Sequence, residues 1–316
     1  MRYRQLGNSG LTVSVVGLGC NNFGSRLDLE RTRAVVDAAI EQDINLLDTS
    51  DTYGNGGGSE TFLGEILKGR RDRVVLATKF GSPMPGGHDD EARGSRRYIR
   101  RAVEASLRRL QTDYIDLYQH HRPDPRTPLQ ETVAALDELV VEGKIRYAGS
   151  SNYAGFRIAD ADWIANVDHR TRMISAQNHY SLLERTVEHE VIPACVEHGI
   201  GMLPFFPLAS GLLTGKYKRD GTAPEGSRLV GRGDWLTEEA FDKVEALEKL
   251  AAERDLSLLD LAIGGLAAQP AVASVIAGAT RPEQVIANVS AGGWEPTADD
   301  LAAIEAIVPR GSSSRA

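Results

Sequence analysis

Short, continuously apolar runs alternate along this chain with longer stretches whose apolar residues recur every three or four positions. The runs are TVSVVGLG, INLLDTS, RVVLATK, YIDLYQHH, IRYAGSSN, MISAQN, GMLPFF and SVIAGA. Runs of this length, apolar on successive residues, have the pattern of strands covered on both faces. Between them the spacing predicts helices over Glu30–Gln42, Glu60–Lys68, Ser95–Leu110, Leu129–Glu142, Phe156–Asn166 and Val187–His198. After a long Gly- and Pro-rich stretch it predicts Glu238–Arg254, Leu258–Ala268 and Pro282–Ala291. In Leu129–Glu142 the residues Leu129, Val133, Leu136 and Val140 form one stripe, and Gly143 stops the helix. In Ser95–Leu110 the stripe is Ile99, Val103, Leu107 and Leu110. Arg96, Arg97, Arg100, Arg101, Arg108 and Arg109 lie off it. A solvated face is the reading of those arginines, with a nucleic-acid patch as the alternative.

The apolar runs end at Asp48, Lys79, His121, Ser151, Asn178 and Phe206, spaced by roughly one strand–helix unit each. Eight such units predict an α/β fold, a (β/α)8 TIM barrel, with a doubly wound open sheet as runner-up. A dinucleotide-binding open sheet would carry G-x-G-x-x-G after its first strand, and GLGCNNFG lacks it.

Composition narrows the function classes. The 316 residues are 41% hydrophobic and 25% charged, as in a globular protein rather than a disordered one. The formal net charge of −8 argues against a general binder of nucleic acid or anionic membrane. No apolar run reaches roughly 18 residues, so no membrane span is expected. The N-terminus MRYRQLGNSG lacks an apolar signal-peptide core. Two cysteines, Cys20 and Cys195, suit a reducing compartment, and a cytoplasmic location is the expectation. A single domain over residues 1–309 is expected, with a disordered tail over 310–316.

In a barrel, chemistry sits at the C-terminal ends of the strands. Asp48 ends the second run, Lys79 the third and the pair His120–His121 the fourth. Tyr53 follows Asp48 in DTSDTYGNGGGSE. A lysine buried after an apolar run is costly unless paired, and Asp48 is the natural partner. Each residue alone has a plain structural role: a turn cap, a packed aromatic, a chain reaching solvent. Together they form an acid–base device. A phenol ordinarily titrates near about 10, a nearby ammonium lowers that value, and a carboxylate holds the ammonium. A histidine across the pocket orients a carbonyl oxygen. The set contains no nucleophile and no metal ligands, so a hydride source has to be bound. GSSN (Gly149–Asn152) and Gln177 offer amides and hydroxyls for a carboxamide. PFFPL offers an aromatic face for a flat heterocycle. AGATRPEQ enters a helix at Pro282 beside Arg281, which is an anion site or simply a helix start capped by Thr280.

The stretches DTSDTYGNGGGSE, VVLATKFG, SLRRLQTDYIDLYQHHRPDP, GKIRYAGSSN, AQNHYSLLER, PLASGLLTGKY and AGATRPEQVIAN occur in an order and spacing similar to the aldo-keto reductase family. The resemblance covers nearly the whole chain. It implies a barrel capped at the bottom by an N-terminal β-hairpin, about Arg4–Ser14, with extra C-terminal helices. It also implies NADPH-linked reduction of a small-molecule carbonyl substrate. Asp48, Tyr53, Lys79 and His121 match the catalytic tetrad, with Tyr53 as general acid, its pKa lowered by Lys79. The matching cofactor positions are Gly19, Ser151, Asn152 and Gln177, then Phe205, Pro207, Leu208, Gly211 and Lys216. Gly278, Thr280, Arg281, Gln284 and Asn288 match the adenosine-phosphate end. Phe206 and Ala287 depart from the family pattern, which usually has Ser and an acidic residue there. The long stretches GSPMPGGHDDEARG and TGKYKRDGTAPEGSRLVGRGDW are expected to carry substrate specificity.

Two rival readings accompany this one. The first is an NADPH-binding barrel acting as a regulatory or redox-sensing subunit, since potassium-channel beta subunits resemble the same family. The second is a metal-dependent hydrolase using His120, His121 and His179. Strand alternation says that His120 and His121 face opposite ways but leaves open which one faces the pocket. The family spacing D-L-Y-x-x-H-x-P-D assigns the pocket to His121 and leaves His120 to packing.

Overall fold

The computed structural model describes residues 1–85, 91–219, 229 and 235–314. Strands β1 (Tyr3–Gln5) and β2 (Thr12–Ser14) form an antiparallel hairpin. The barrel strands are β3 (Val16–Gly19), β4 (Leu46–Asp48), β5 (Val75–Phe80), β6 (Ile115–His120), β7 (Ile145–Ser151), β8 (Met173–Gln177), β9 (Gly201–Met202) and β10 (Val275–Gly278). They are all parallel, in the order β10-β3-β4-β5-β6-β7-β8-β9. The ring closes through the backbone. Met202 N donates to Ala271 O at 2.7 Å, Ala273 N to Met202 O at 2.9 Å, and Ile276 N to Pro204 O at 3.0 Å. This is the (β/α)8 barrel expected, not the open sheet.

Around it lie α1 (Leu29–Glu41), α2 (Tyr53–Ile66), α3 (Arg96–Leu110), α4 (Leu129–Val141), α5 (Gly155–Val167), α6 (Val191–His198), α7 (Glu238–Ala252), α8 (Leu258–Ala267), α9 (Pro282–Ala291) and α10 (Ala298–Ile307). Two apolar clusters follow from strand alternation. A small one fills the barrel with Leu46, Ala77, Leu117, Leu203 and Ile276, plugged from below by Leu6 and Val13 of the hairpin region. The larger one fills the layer between strands and helices. The arginines of α3 meet carboxylates of neighbouring elements: Arg96 and Arg100 pair with Glu138, and Arg109 with Glu60.

Several boundaries differ from the sequence expectation. TVSVVGLG is not one strand. Ser14 N bonds to Asn45 Oδ1 and Val15 N to Arg2 O, and the chain passes from hairpin to barrel at Val15. The expected helix Val187–His198 is a short 3-10 turn, Thr186–Glu188, followed by α6. Pro193 explains the break, because it has no N–H to continue a helix from upstream. Strand four ends at His120, strand six at Gln177 and strand seven at Met202, so His121, Asn178 and Phe206 lie just beyond their strands. Residues 312–314 lie against the 183–185 segment. Arg185 N donates to Ser312 O, Ser313 Oγ to Glu184 Oε2, and Ser314 N to Leu183 O. Both long loops expected to carry specificity fall partly outside the described residues. Among the described residues, no helix is long and apolar enough to cross a membrane.

Candidate active site

The C-terminal ends of β4 and β5 bring Asp48 and Lys79 together. Lys79 is fully buried, and its three N–H groups all have acceptors: Asp48 Oδ2 at 2.7 Å, Thr49 O at 2.8 Å and Tyr53 Oη at 3.4 Å. Burial pulls its pKa down, but Asp48 and Tyr53 more than offset this and hold the ammonium above its ordinary value. Removing Asp48 would strand that charge, at a cost of about 3–5 kcal/mol. The other carboxylate oxygen, Asp48 Oδ1, accepts from Gln177 Nε2 at 2.9 Å and Gln119 Nε2 at 3.3 Å. Gln119 was not anticipated. It lies in β6 beside Lys79 and accepts from Ser175 Oγ. Its signal was a polar residue of the same parity as Leu117 inside an apolar run.

Tyr53 opens α2, but the chain is not yet helical there. Gly54, Asn55, Gly56 and Gly57 have φ of 69°, 61°, 94° and 108°. Glycine makes this left-handed passage inexpensive, and at Gly57 a Cβ would also strike Arg109 Cδ. The passage leaves Tyr53 at the barrel mouth, with the helix proper beyond it. Burial pushes the phenol pKa up, Lys79 counteracts it, and the net direction is upward. Lys79 lowers the phenol's pKa as expected, but burial raises it by more.

His121 also faces the mouth. Its ring stands edge-on to Tyr53 with centroids 5.9 Å apart, and its Nδ1 lies 3.0 Å from Ser50 Oγ. Burial, followed by the charge of Lys79, pushes its pKa well below the ordinary range, so the ring is neutral. His120 points the other way. It stacks on Phe80 at 4.9 Å, and its Nδ1 meets Tyr153 Oη at 2.9 Å. Burial lowers its pKa to about 4. His179 stacks on Phe205 at 5.5 Å. The three histidines of the hydrolase reading therefore do not converge. Among the described residues, no group of three or more His, Cys, Asp or Glu side chains is placed to hold a metal.

Asp48, Tyr53 and His121 line one cavity of about 1300 Å³, whereas Lys79 sits behind its wall. The same cavity is lined by every expected cofactor position: Gly19, Ser151, Asn152, Gln177, Phe205, Pro207, Leu208, Gly211, Lys216, Gly278, Thr280, Arg281, Gln284 and Asn288. It also takes in Asn21, Asn22, Arg26, Arg31 and Arg122, which no sequence pattern singled out. The donor set suits a nicotinamide dinucleotide. Asn152 Nδ2 donates to His121 O and Ser151 Oγ, which leaves its Oδ1 as an acceptor for a carboxamide N–H₂. At the other end Arg281 is the N-cap of α9 without a side-chain cap bond, the arrangement that receives an anion. At Gly211 (φ 99°) a Cβ would lie 2.7 Å from Lys216 Nζ, so the glycine lets the ammonium lie against the backbone. Phe206, the departure from family pattern, packs edge-on against Phe205 and Trp235 and lines the cavity; Ala287 lines it too.

Comparison with known proteins agrees with this architecture. The family model described as the Aldo/keto reductase family matches residues 15–309. A Bacillus subtilis (strain 168) protein named uncharacterized oxidoreductase YrpG is 38% identical over 92% of this chain and 91% of its own length. L-glyceraldehyde 3-phosphate reductase of Escherichia coli (strain K12) is 34% identical over 92% of this chain and 87% of its own. A probable voltage-gated potassium channel subunit beta of Oryza sativa subsp. japonica is 36% identical over 98% and 97%. The chain is an oxidoreductase that belongs to the aldo/keto reductase family.

Proposed function

We propose that the protein reduces an aldehyde or ketone to the alcohol with NADPH as hydride donor and Tyr53 as general acid. The observation that carries this reading is the chain Asp48–Lys79–Tyr53, with His121 across the same cavity. Bound in this cavity, NADPH would supply hydride to the carbonyl carbon, and the oxygen would then need a proton. Tyr53 supplies it. Its raised pKa keeps the phenol protonated at neutral pH, so the acid is loaded for reduction. As the phenol gives up its proton, the charge of Lys79 stabilises the phenolate, and Asp48 keeps that charge in place. Neutral His121 holds the carbonyl oxygen. Ser151, Asn152 and Gln177 would hold the carboxamide, Phe205 would offer its face to the nicotinamide, and Arg281 with the start of α9 would hold phosphate.

Tyr53→Phe tests the reading. Reduction is expected to fall by at least about 10²-fold, the scale of a lost general acid, with NADPH affinity unchanged by fluorescence titration. Retained turnover would remove Tyr53 from its role. The rice relative's name supports a second reading, an NADPH-binding regulatory or redox-sensing subunit. A panel of aldehydes, ketones, dicarbonyls and phosphorylated short-chain aldehydes separates the two. Oxidation of NADPH by any of them favours the enzyme. Tight NADPH binding with no turnover favours the subunit.

A further inference from the structure

Ser50 and Asp51 lie between Asp48 and Tyr53, and the mechanism above uses neither. Both are buried, at 0% and 2% exposure. Ser50 Oγ lies 3.0 Å from His121 Nδ1, 3.2 Å from Asp51 Oδ1 and 3.1 Å from Thr52 Oγ1, and it accepts from Thr52 N at 3.3 Å. A hydroxyl has one proton to give and two lone pairs. With Thr52 N–H on one lone pair, the single proton can go to the imidazole, to the carboxylate or to Thr52 Oγ1, and to only one of them.

We propose that Asp51, acting through Ser50, sets which ring nitrogen of His121 carries the proton. The proposal rests on the reading of this site as a carbonyl reductase. When Asp51 is ionised, Ser50 donates to it and accepts from His121 Nδ1–H. Nε2 then presents a lone pair, which repels a carbonyl oxygen. When Asp51 is protonated, it donates to Ser50, Ser50 donates to Nδ1, and Nε2–H faces the substrate as a donor. The protons balance. A solvent proton arrives at Nε2, the Nδ1 proton passes to Ser50, and the Ser50 proton passes to Asp51. Ser50 and Asp51 are positioning residues, because they act only through His121.

The surroundings of Asp51 bring this change near neutral pH. Burial first, then the charge of Glu60 on α2, raises its pKa to about 7, against Ser50, Arg109 of α3 and Lys79 of β5. The phenols of Tyr98 and Tyr118 also feel its charge. His121 meets Lys79, Arg122 and His120, and all of them oppose its protonation. The imidazole therefore changes tautomer, not charge.

The test is ¹⁵N NMR of the ring nitrogens in histidine-labelled protein, assigned with His121→Gln. In the wild type the His121 proton is expected on Nε2 at about pH 6 and on Nδ1 at about pH 8.5. In Asp51→Asn and in Ser50→Ala the tautomer should be independent of pH, while Ser50→Thr should restore the wild-type response. In parallel, kcat/KM for reduction should fall by about tenfold or more over that interval in the wild type, as a positioned donor is lost, and stay flat in Asp51→Asn. NADPH affinity should not follow either change. An unchanging wild-type tautomer, or a titration that survives Asp51→Asn, overturns the relay. Activity retained in Tyr53→Phe would overturn the carbonyl-reductase reading instead, and the NMR result does not depend on turnover.

Discussion

His120 and His121 share a peptide bond but not an environment. One stacks on Phe80 in the layer under the helices; the other stands beside Tyr53 at the mouth. Strand alternation required the split but left the pocket side open; the family spacing assigned it to His121, and Leu117, of the same parity, lies in the barrel interior. Asp48 and Lys79 were legible because a buried lysine needs a carboxylate, and adjacent strands supply one. Ser50 and Gln119 were not, because the partners that give them a role, His121 for one and Asp48 and Ser175 for the other, are far along the chain, and each alone looks like ordinary turn or strand polarity. Asp51 carries a cost that can be measured. The displacement of its pKa from 3.8 to about 7 corresponds to roughly 4 kcal/mol against the folded state when the carboxyl is ionised. A carboxyl raised on folding destabilises progressively as pH rises from its unfolded value to its folded one, and the penalty is complete above that. Asp51→Asn is therefore expected to raise the urea midpoint by the equivalent of a few kcal/mol at about pH 8, with the gain shrinking steadily toward about pH 4. A gain equal at both ends would mean that Asp51 is not held neutral by the fold.

At the scale of elements, helices with one buried stripe were found to within a residue or two, α4 and α9 among them. Besides the break at Pro193, two misses have physical causes. The left-handed passage in the first turn of α2 is written in its glycines, but periodicity does not register it. Helix α10 escaped the list because only Ile304 of its apolar residues is fully buried, so it has almost no stripe. Its signal is at its start. Thr297 Oγ1 accepts from Asp300 N at 3.2 Å and the Asp300 carboxylate accepts from Thr297 N at 2.9 Å, a capping box. With little burial to hold it, α10 depends on that cap more than its neighbours do. Thr297→Ala is expected to cost about 1 kcal/mol, seen as faster amide exchange confined to α10. Unchanged exchange there would show that packing against α7 suffices.

For the whole molecule, the barrel was legible from eight apolar runs and their even spacing. The electrostatic problem was legible too: a chain of net charge −8 that binds a phosphate-rich cofactor must concentrate cations locally. Arg26, Arg31, Arg122, Lys216 and Arg281 all line the cavity, and only Lys216 and Arg281 were expected there, because arginines outside a strand end or helix start carry no readable pattern. Preference for NADPH over NADH, if Arg281 holds the extra phosphate, is a charge-assisted interaction worth about 1.5–3 kcal/mol. Arg281→Ala is then expected to raise the NADPH Kd by about tenfold or more and to leave the NADH Kd within about twofold. The same substitution should flatten the dependence of NADPH affinity on salt, since screening acts on the contact being removed. Binding titrations with both cofactors at two ionic strengths read all of these effects. Equal weakening of NADPH and NADH would show that Arg281 serves the entry into α9 rather than the phosphate, and selectivity would then have to come from the remaining cations of the cavity.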